Sequence, residues 1–256
     1  MKIIVALKQV PESGAPVRID AAGRWIEESD FQYTLNEPDA YALEQALQLK
    51  EQHGGEVVAV SAGPERVQAV LRDALAKGAD RALHIACDNL NQLDPLAVAR
   101  LLAAAIRPES ADVVLTGLQS DDMGHGQTGV LLAELLGLPH ASLILQVEKS
   151  ATGLTVKREL EEGWFQNIEI PLPCLLTIQS GGSKLRYATL MGIKRAKAKE
   201  LRSISAADLG APSAPVAVLE SVSVVRKQKT TQFFSGTPAQ AAAALVEKLQ
   251  FEARVL

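Results

Sequence analysis

Apolar positions along the chain form short continuous runs that alternate with segments of helical spacing. The runs, rich in Val, Ile, Leu and Ala, lie at residues 3–7, 57–60 and 113–115, and a fourth strand-like stretch at residues 81–85 is interrupted by Arg81 and His84. The segments with helical spacing lie between them, at residues 40–52, 65–77 and 95–106. Continuous apolar runs are typical of strands buried on both faces, and strands that alternate with helices predict a parallel sheet covered on both sides. The pattern therefore predicts an α/β protein.

The pattern changes after Pro139. Residues 141–147 are apolar, and loose alternation of apolar and polar residues follows at residues 153–160 and 164–170. Alternation of this kind predicts antiparallel strands with one solvated face. Residues 171–178 form another apolar run, which predicts a strand that returns to the sheet. We therefore expect an antiparallel excursion from the parallel sheet.

The C-terminal part of the chain has a different composition. From Ser203 to Val216 it is rich in Ala, Ser and Pro, which is typical of a linker. Residues 222–225 could add one strand, and a short helix is predicted over residues 239–249. This helix is too short and too poor in apolar surface to be stable alone. We therefore predict an α/β nucleotide-binding domain at residues 1–202 and an extended C-terminal arm at residues 203–256 that packs on a partner subunit.

A glycine-rich loop joins the fourth predicted strand to a helix. Gly124, Gly126 and Gly129 precede an apolar segment that Gly137 and Pro139 end. Backbone N–H groups at a helix start, together with the helix dipole, favour a bound anion such as phosphate. The spacing also matches the letters of the dinucleotide fingerprint, but that motif belongs directly after the first strand of a fold and this loop follows the fourth. The alternative is that these glycines only shape a tight turn.

Four stretches of the predicted domain should meet at one edge of the sheet. Ligands on a parallel sheet bind beyond the carboxyl ends of the strands, near a switch in strand order. This rule places Ala6, Ala62 and the residues after Gly117 together. Asn36 is the predicted N-cap of the first helix and Pro38 suits its first turn, so this turn faces the same edge. Their convergence favours a nucleotide site.

Composition and charge narrow the possible functions. The 256 residues carry a formal net charge of −4, which gives no electrostatic case for nucleic acid. Cys87 and Cys174 stand far apart and outside any metal-ligand spacing, so we expect them to be reduced and buried. No apolar run reaches membrane-spanning length, and the first run is too short for a signal peptide. These features predict a cytoplasmic protein.

The four histidines do not cluster with other ionisable residues in the sequence. No acid–base or hydrolytic site is therefore predicted. His84 lies in a predicted strand and His140 at a turn, and both are expected to be structural. His125 lies in the glycine-rich loop and could contact a phosphate, although the backbone amides around it are better candidates.

Three stretches carry a resemblance to a known family. They are residues 58–64 with 74–80, residues 117–122 with 127–129, and residues 186–190 with the lysine-rich segment that follows. On these stretches the chain resembles the β subunit of electron transfer flavoprotein, in the wider group that includes its nitrogen-fixation homologues. The resemblance spans nearly the whole chain. It implies a Rossmann-like domain of the adenine nucleotide α hydrolase type, a heterodimer with an α subunit, AMP bound in this chain and FAD bound mainly by the α subunit.

The same resemblance assigns residues to sites. The implied AMP contacts are Ala6, Asn36, Glu37, Pro38, Asp39, Ala62, Leu118, Gln119, Ser120, Asp121, Asp122, Met123, Gly124, His125, Gly126, Gln127, Thr128 and Gly129. A loop at residues 185–199 is implied to recognise partner dehydrogenases, with Leu190 as its protruding anchor. The implied contacts of this loop are Arg186, Tyr187, Ala188, Thr189, Leu190, Met191, Ile193, Lys194 and Lys197. Catalytic and metal-ligating residues are not implied in this chain.

The implied function is that of an electron carrier subunit rather than a stand-alone enzyme. Electrons would pass between dehydrogenases and a membrane quinone oxidoreductase or another acceptor, with no insertion of this chain into the membrane. One alternative is an electron-bifurcating subunit, in which a second FAD takes the AMP position. Such relatives typically have valine where Thr128 stands, so Thr128 favours AMP. A second alternative, a stand-alone adenine-nucleotide-binding regulator, leaves the basic loop and the extended arm unexplained.

Some positions depart from the family pattern. Ala62 stands where mammalian-type relatives have cysteine, so no side-chain role is assigned there. Met191 and Gly192 replace a Pro-Asn pair after Leu190, and therefore the sequence does not establish that the loop is rigid. Residues 123–126 replace a more acidic stretch of the glycine-rich loop.

Overall fold

The computed structural model describes residues 1–14, 16–211, 214–225 and 231–255. It consists of two compact units, Met1–Val222 and Ser223–Leu256. Parts of the predicted linker and of the polar segment before the last helix lie outside the described residues. Within them, no helix is long and apolar enough to cross a bilayer.

The first unit is built from strands that alternate with helices. The strands are β1 (Lys2–Ala6), β2 (Gln9–Pro11), β3 (Tyr33–Leu35), β4 (Glu56–Gly63), β5 (Arg81–Ala86), β6 (Val113–Gly117), β7 (His140–Lys149), β8 (Gly153–Glu159), β9 (Phe165–Pro171), β10 (Cys174–Ile178) and β11 (Leu201–Ser205). The helices are α1 (Glu37–His53), α2 (Gln68–Lys77), α3 (Pro95–Ile106), α4 (Thr128–Leu136) and α5 (Leu190–Ala196). Both cysteines are buried and free, as expected from the sequence.

Most strands belong to one nine-stranded sheet with the order β11-β5-β4-β1-β6-β10-β7-β8-β9. The pairs from β11 to β7 are parallel, and β8 and β9 extend the sheet in antiparallel register. β2 and β3 form a separate antiparallel pair. The predictions of an α/β fold and of an antiparallel excursion are confirmed.

The side chains of β1 explain how the two faces of the sheet are covered. Ile3 and Val5 point into an apolar core with α1 and α2, whereas Ile4 and Ala6 point into a second core with α3 and α4. Alternate residues of a strand face opposite sides, so a central strand must be apolar throughout to bury both. This is why β1 reads as a continuous apolar run.

The connections place a switch in strand order between β1 and β6. The chain passes from β1 through α1 to β4, and through α2 to β5, always in one direction along the sheet. It then returns through α3 on the other face and enters β6 on the opposite side of β1. Crevices at such switch points are where open parallel sheets bind ligands.

The predicted linker, which begins at Ser203, overlaps a strand of the sheet. Leu201–Ser205 forms β11, an edge strand in parallel register with β5. The hydroxyl of Ser203 lies 3.1 Å from Nδ1 of the buried His84, whose Nε2 lies 2.9 Å from the Gly63 carbonyl oxygen. A polar residue pairs here with a buried histidine across the sheet, which composition alone does not reveal. The structural prediction for His84 is thus confirmed, and the linker prediction is wrong for β11.

Two further predictions concern the C-terminal part. The described residues 222–225 lie outside any strand, so the strand predicted there is wrong. The predicted last helix is present in the second unit as α6 (Pro238–Phe251). Thr237 caps it in a capping box with Gln240. Among the described residues of this unit no side chain is buried.

Candidate functional site

The carboxyl ends of β1, β4 and β6 bring the predicted nucleotide residues together. β1 ends at Ala6, Ala62 lies next to the end of β4, and Leu118 follows β6. Because these strands are parallel and β1 pairs with both of the others, their ends share one edge. The first turn of α1 reaches the same edge through the contacts below, so the predicted convergence is confirmed. We call this region the nucleotide edge.

Asp39 connects the two strands at the switch point. Its Oδ2 accepts a hydrogen bond from the Lys8 N–H at 2.6 Å, and its Oδ1 accepts one from the Gly117 N–H at 2.8 Å. A Cβ atom on Gly117 would overlap Oδ1, so this approach requires glycine. Burial raises the pKa of Asp39 to about 7, against the opposing effect of the two N–H donors.

Asn36 holds the loop after β6 instead of capping its own helix. It occupies the N-cap position of α1, but its side chain makes no cap hydrogen bond. Its Nδ2 donates to the Gln119 carbonyl and its Oδ1 accepts from the Asp121 N–H, both at 2.9 Å. Asp121 in turn accepts from the Glu37 N–H at 3.1 Å, so a carboxylate from the loop caps α1. The predicted position of Asn36 is confirmed and its predicted capping role is wrong.

Lys8 is a member of this edge that the sequence reasoning missed. Its Nζ lies 2.6 Å from Oδ1 of Asp122 and 3.1 Å from the Ser120 hydroxyl. Burial raises the pKa of Asp122, but the Lys8 ammonium outweighs burial and the net pKa is below the ordinary value. The acidic pair of the loop is therefore engaged, Asp121 by α1 and Asp122 by Lys8. The sequence held one signal for this role of Lys8, which is its position directly after the apolar run at residues 3–7.

In the described part of the chain, the first N–H groups of α4 are uncapped, whereas the first N–H group of α1 is capped by Asp121. Among the described residues, the N–H groups of Thr128, Gly129 and Val130 have no acceptor, and no side chain caps this helix. A Cβ atom on Gly129 would lie 2.5 Å from Oγ1 of Thr116 and 2.6 Å from Cγ2 of Thr177. Only glycine therefore lets α4 begin this close to the ends of β6 and β10.

These donors fit the phosphate of a nucleotide. Free N–H groups and the positive end of the helix dipole both favour an anion at α4. Oγ1 of Thr177, fully buried and beside Gly129, has no partner among the described residues, which leaves one more polar atom unsatisfied at this corner. Gly124 and Gly126 in the loop before α4 have positive φ angles of 63° and 62°. Glycine adopts that region at little cost.

Comparison with known proteins identifies the family. A family model for the electron transfer flavoprotein domain matches residues 24–209. The electron transfer flavoprotein subunit β of Methylophilus methylotrophus is 38% identical, over 96% of this chain and 97% of that protein. Those of Bacillus subtilis and Bos taurus are each 32% identical over 100% of this chain, and over 100% and 99% of their own lengths. The chain belongs to the electron transfer flavoprotein β-subunit family.

Membership in the electron transfer flavoprotein family confirms the resemblance found in the sequence and indicates a role in flavin-linked electron transport. The resemblance also assigned the loop at residues 185–199 to partner recognition. The side chains of Tyr187, Leu190, Met191 and Ile193 are exposed there, and Leu190 is 87% exposed. We call these four residues the apolar cluster of the loop. The exposure of Leu190 is compatible with the anchor role that the resemblance implies for it, and that role stays a prediction.

Arg186 lies at the start of this loop and forms ion pairs with α1. Its guanidinium pairs with Glu44 at 2.8 Å and with Glu51 at 2.5 Å, both on α1. Burial alone would raise the pKa of Glu44, yet hydrogen bonds from Arg186 outweigh burial and lower it. Arg186 therefore fixes the start of the loop on α1, a role that the contact assignment from the resemblance did not contain.

The end of the loop is fixed on α2. Arg72 donates to the Ala196 and Lys199 carbonyls, and Lys199 donates to the Leu75 and Ala79 carbonyls. A Cβ atom on Gly192 would overlap the Ala76 carbonyl oxygen, so α5 packs closely on α2. The loop is thus held at both ends, with the apolar cluster left exposed.

Proposed function

We propose that this chain is the β subunit of a heterodimeric electron transfer flavoprotein. It binds AMP as a structural ligand and helps to position the FAD held mainly by the α subunit. Electrons enter that flavin from dehydrogenases and leave to a membrane quinone oxidoreductase or another acceptor. The observation that carries the proposal is similarity along the full length to chains named subunit β, together with an open helix N-terminus at the switch point.

The phosphate of AMP would lie on the N–H groups that begin α4. The N–H groups that begin α1 are unsuited to this role. The N–H of Glu37 already donates to the Asp121 carboxylate, and Pro38 has no N–H. A second anion there would meet like charge. The open N-terminus is therefore the better phosphate site.

The hydroxyl of Thr128 supports AMP over a second FAD. A side-chain hydroxyl in the first turn of α4 adds a donor for a terminal phosphate, and relatives with the second FAD typically have valine there. FAD supplies the one-electron chemistry when it is bound. This chain contributes binding and orientation, and its Asp39 and Asn36 hold the edge in shape.

Bound ligands of the intact complex test the proposal directly. The chain is co-purified with its α subunit, the complex is denatured, and released nucleotides are quantified by liquid chromatography and mass spectrometry. We expect one AMP and one FAD for each heterodimer. Two FAD would support the bifurcating alternative, and the absence of any adenine nucleotide would contradict the proposed site.

We further propose that dehydrogenases dock on the apolar cluster. Exposed apolar side chains held on a fixed loop are typical of protein interfaces. Lys194 and Lys197 lie beside them and are exposed. Burial of the cluster would supply affinity, while the lysines would steer an acidic partner surface in a salt-dependent way.

A further inference from the structure

Residues 214–222 form the end of the first unit and are held through their backbone; we call them the strap. After β11, Ala206 donates to the Ala86 carbonyl, and Leu209 packs on the apolar core beneath α3. The N–H groups of Val216 and Ala217 both donate to Oδ2 of Asp94, at 2.9 and 3.0 Å. At the far end, the Val222 N–H donates to the Gly23 carbonyl at 3.0 Å. The strap is thus tied at both ends.

The two carboxylate oxygens of Asp94 accept hydrogen bonds from two different segments, α3 and the strap. Oδ1 accepts from the Ala97 N–H at 2.8 Å and so caps α3, while Oδ2 accepts from the strap. Burial opposes the charge, but the three N–H donors outweigh it and lower the pKa of Asp94, so the carboxylate is ionised near neutral pH. A helix N-cap needs only one acceptor. The second oxygen is therefore available for a function outside α3.

The strap exposes apolar side chains although its backbone is held. Val216 and Val218 are each 75% exposed, and Leu219 is also exposed. The unit that follows, Ser223–Leu256, buries no side chain among its described residues, and Phe233 in it is almost fully exposed. Apolar surface of this extent on a continuous stretch of chain is typical of a segment that a partner covers.

We propose that Asp94 is a positioning residue for subunit assembly, which fixes where the C-terminal segment leaves the α/β unit and presents Val216 and Val218 to the α subunit. The identity of the partner rests on the proposed function, whereas the tie to Asp94 does not. A segment ordered before binding loses less conformational freedom when the partner arrives. The tie therefore strengthens assembly without adding a contact to the partner.

Asp94→Ser separates the two roles of this residue. The serine hydroxyl still caps α3, since serine is as good an N-cap as aspartate, but it leaves Val216 and Ala217 without an acceptor. In the full-length chain, amide hydrogen exchange of the fragment covering residues 214–222 should accelerate about tenfold, while the thermal midpoint stays unchanged. The dissociation constant of the heterodimer should rise about tenfold, the effect of about one hydrogen bond to a charged group.

Asp88→Ser is the matched control, because it removes the same charge from an exposed position of the loop before α3. It should alter neither measurement. Unchanged exchange in Asp94→Ser would overturn the tie, and faster exchange with an unchanged dissociation constant would overturn its role in assembly. Failure of the unmodified chain to bind the α subunit would instead overturn the proposed function, while hydrogen exchange would still decide whether Asp94 holds the strap.

Discussion

At the scale of single residues, Asp39 links two backbone segments of the nucleotide edge. One oxygen accepts from the N–H of Lys8, two residues after β1, and the other accepts from the N–H of Gly117 at the end of β6, so these segments cannot separate without breaking a hydrogen bond to Asp39. Breaking such a bond leaves an unsatisfied group and costs about 1–3 kcal/mol. One side chain thus holds together two of the segments to which we assign the nucleotide.

The raised pKa of Asp39 predicts a pH dependence of stability. Burial raises the pKa from an ordinary 3.8 to about 7, so between these values the folded chain keeps a proton that the unfolded chain has lost. The free energy of unfolding should therefore fall as pH rises through this window and level off above about pH 7. Asp39→Asn does not titrate and should lack this component. Urea unfolding of both proteins from about pH 5 to about pH 8 measures the difference, and a constant difference would contradict the assignment.

Thr128 is the residue that most directly tests the identity of the nucleotide. Thr128→Val removes one hydroxyl donor and should weaken AMP binding by about 1.5–3 kcal/mol, the worth of a hydrogen bond to a charged group. Titration calorimetry on nucleotide-free heterodimer measures this change. Thr128→Ser keeps the hydroxyl and is the control. Equal affinities of the valine and serine variants would show that the hydroxyl does not contact the phosphate.

At the scale of elements, α5 and the loop before it form a unit held on α1 and α2. The resemblance found in the sequence indicates this segment and implies Leu190 as its anchor, but it does not reveal the contacts that hold the segment in place. Arg186, whose contact with a partner stays a prediction, pairs with Glu44, which lies 142 positions earlier in the chain. Spacing along one sequence does not show which distant carboxylate will meet a given guanidinium. The rigidity of the loop could therefore be read only from the structure.

Leu190→Ala should weaken docking of the partner dehydrogenase by about ten- to a hundredfold. Burial of a leucine side chain is worth about 1.5–3 kcal/mol, and Leu190 has that surface exposed in the free chain. The measurement is flavin reduction titrated against dehydrogenase concentration. Melting temperature and AMP content should not change, and a large drop in melting temperature would instead identify Leu190 as a core residue. Val17→Ala, at an exposed apolar position outside the loop, is the control.

Gly192→Ala should weaken docking by a different route. The added methyl group overlaps the Ala76 carbonyl oxygen and forces α5 away from α2, at a cost of about 1–3 kcal/mol. Leu190 is retained but displaced. Hydrogen exchange across α5 should accelerate in this variant and remain normal in Leu190→Ala. Normal exchange in Gly192→Ala would mean that the close packing of α5 does not determine the position of the loop.

At the scale of the whole molecule, the chain combines a unit that has a large core with a unit whose described residues bury no side chain. Periodicity predicted the first correctly, because buried strands and helices carry strong apolar signals. It missed β11, since the sequence of that strand is mostly polar and its order comes from pairing with β5. It also placed a strand at residues 222–225, where apolar composition alone suggested one. Composition cannot distinguish an apolar segment that pairs within its own chain from one that awaits a partner.

Deletion of residues 237–256 should weaken the heterodimer and leave the first unit folded. The deleted part includes α6, in which no residue is buried in this chain. Circular dichroism should show an unfolding midpoint close to that of the full chain, and calorimetry with the α subunit should show lower affinity. Unchanged affinity would contradict the expectation that the C-terminal arm packs on the partner.

α1 separates the two proposed working regions of the first unit. Asp39 stands in its first turn and Glu51, which holds Arg186, stands near its end, about 18 Å away for a helical rise of 1.5 Å per residue. Side chains at one end do not contact those at the other. In evolutionary terms, the loop proposed to dock dehydrogenases can therefore change to suit another partner without a compensating substitution at the nucleotide edge. The proposed nucleotide site, likewise, can exchange one adenine-containing ligand for another while the set of protein partners is inherited unchanged.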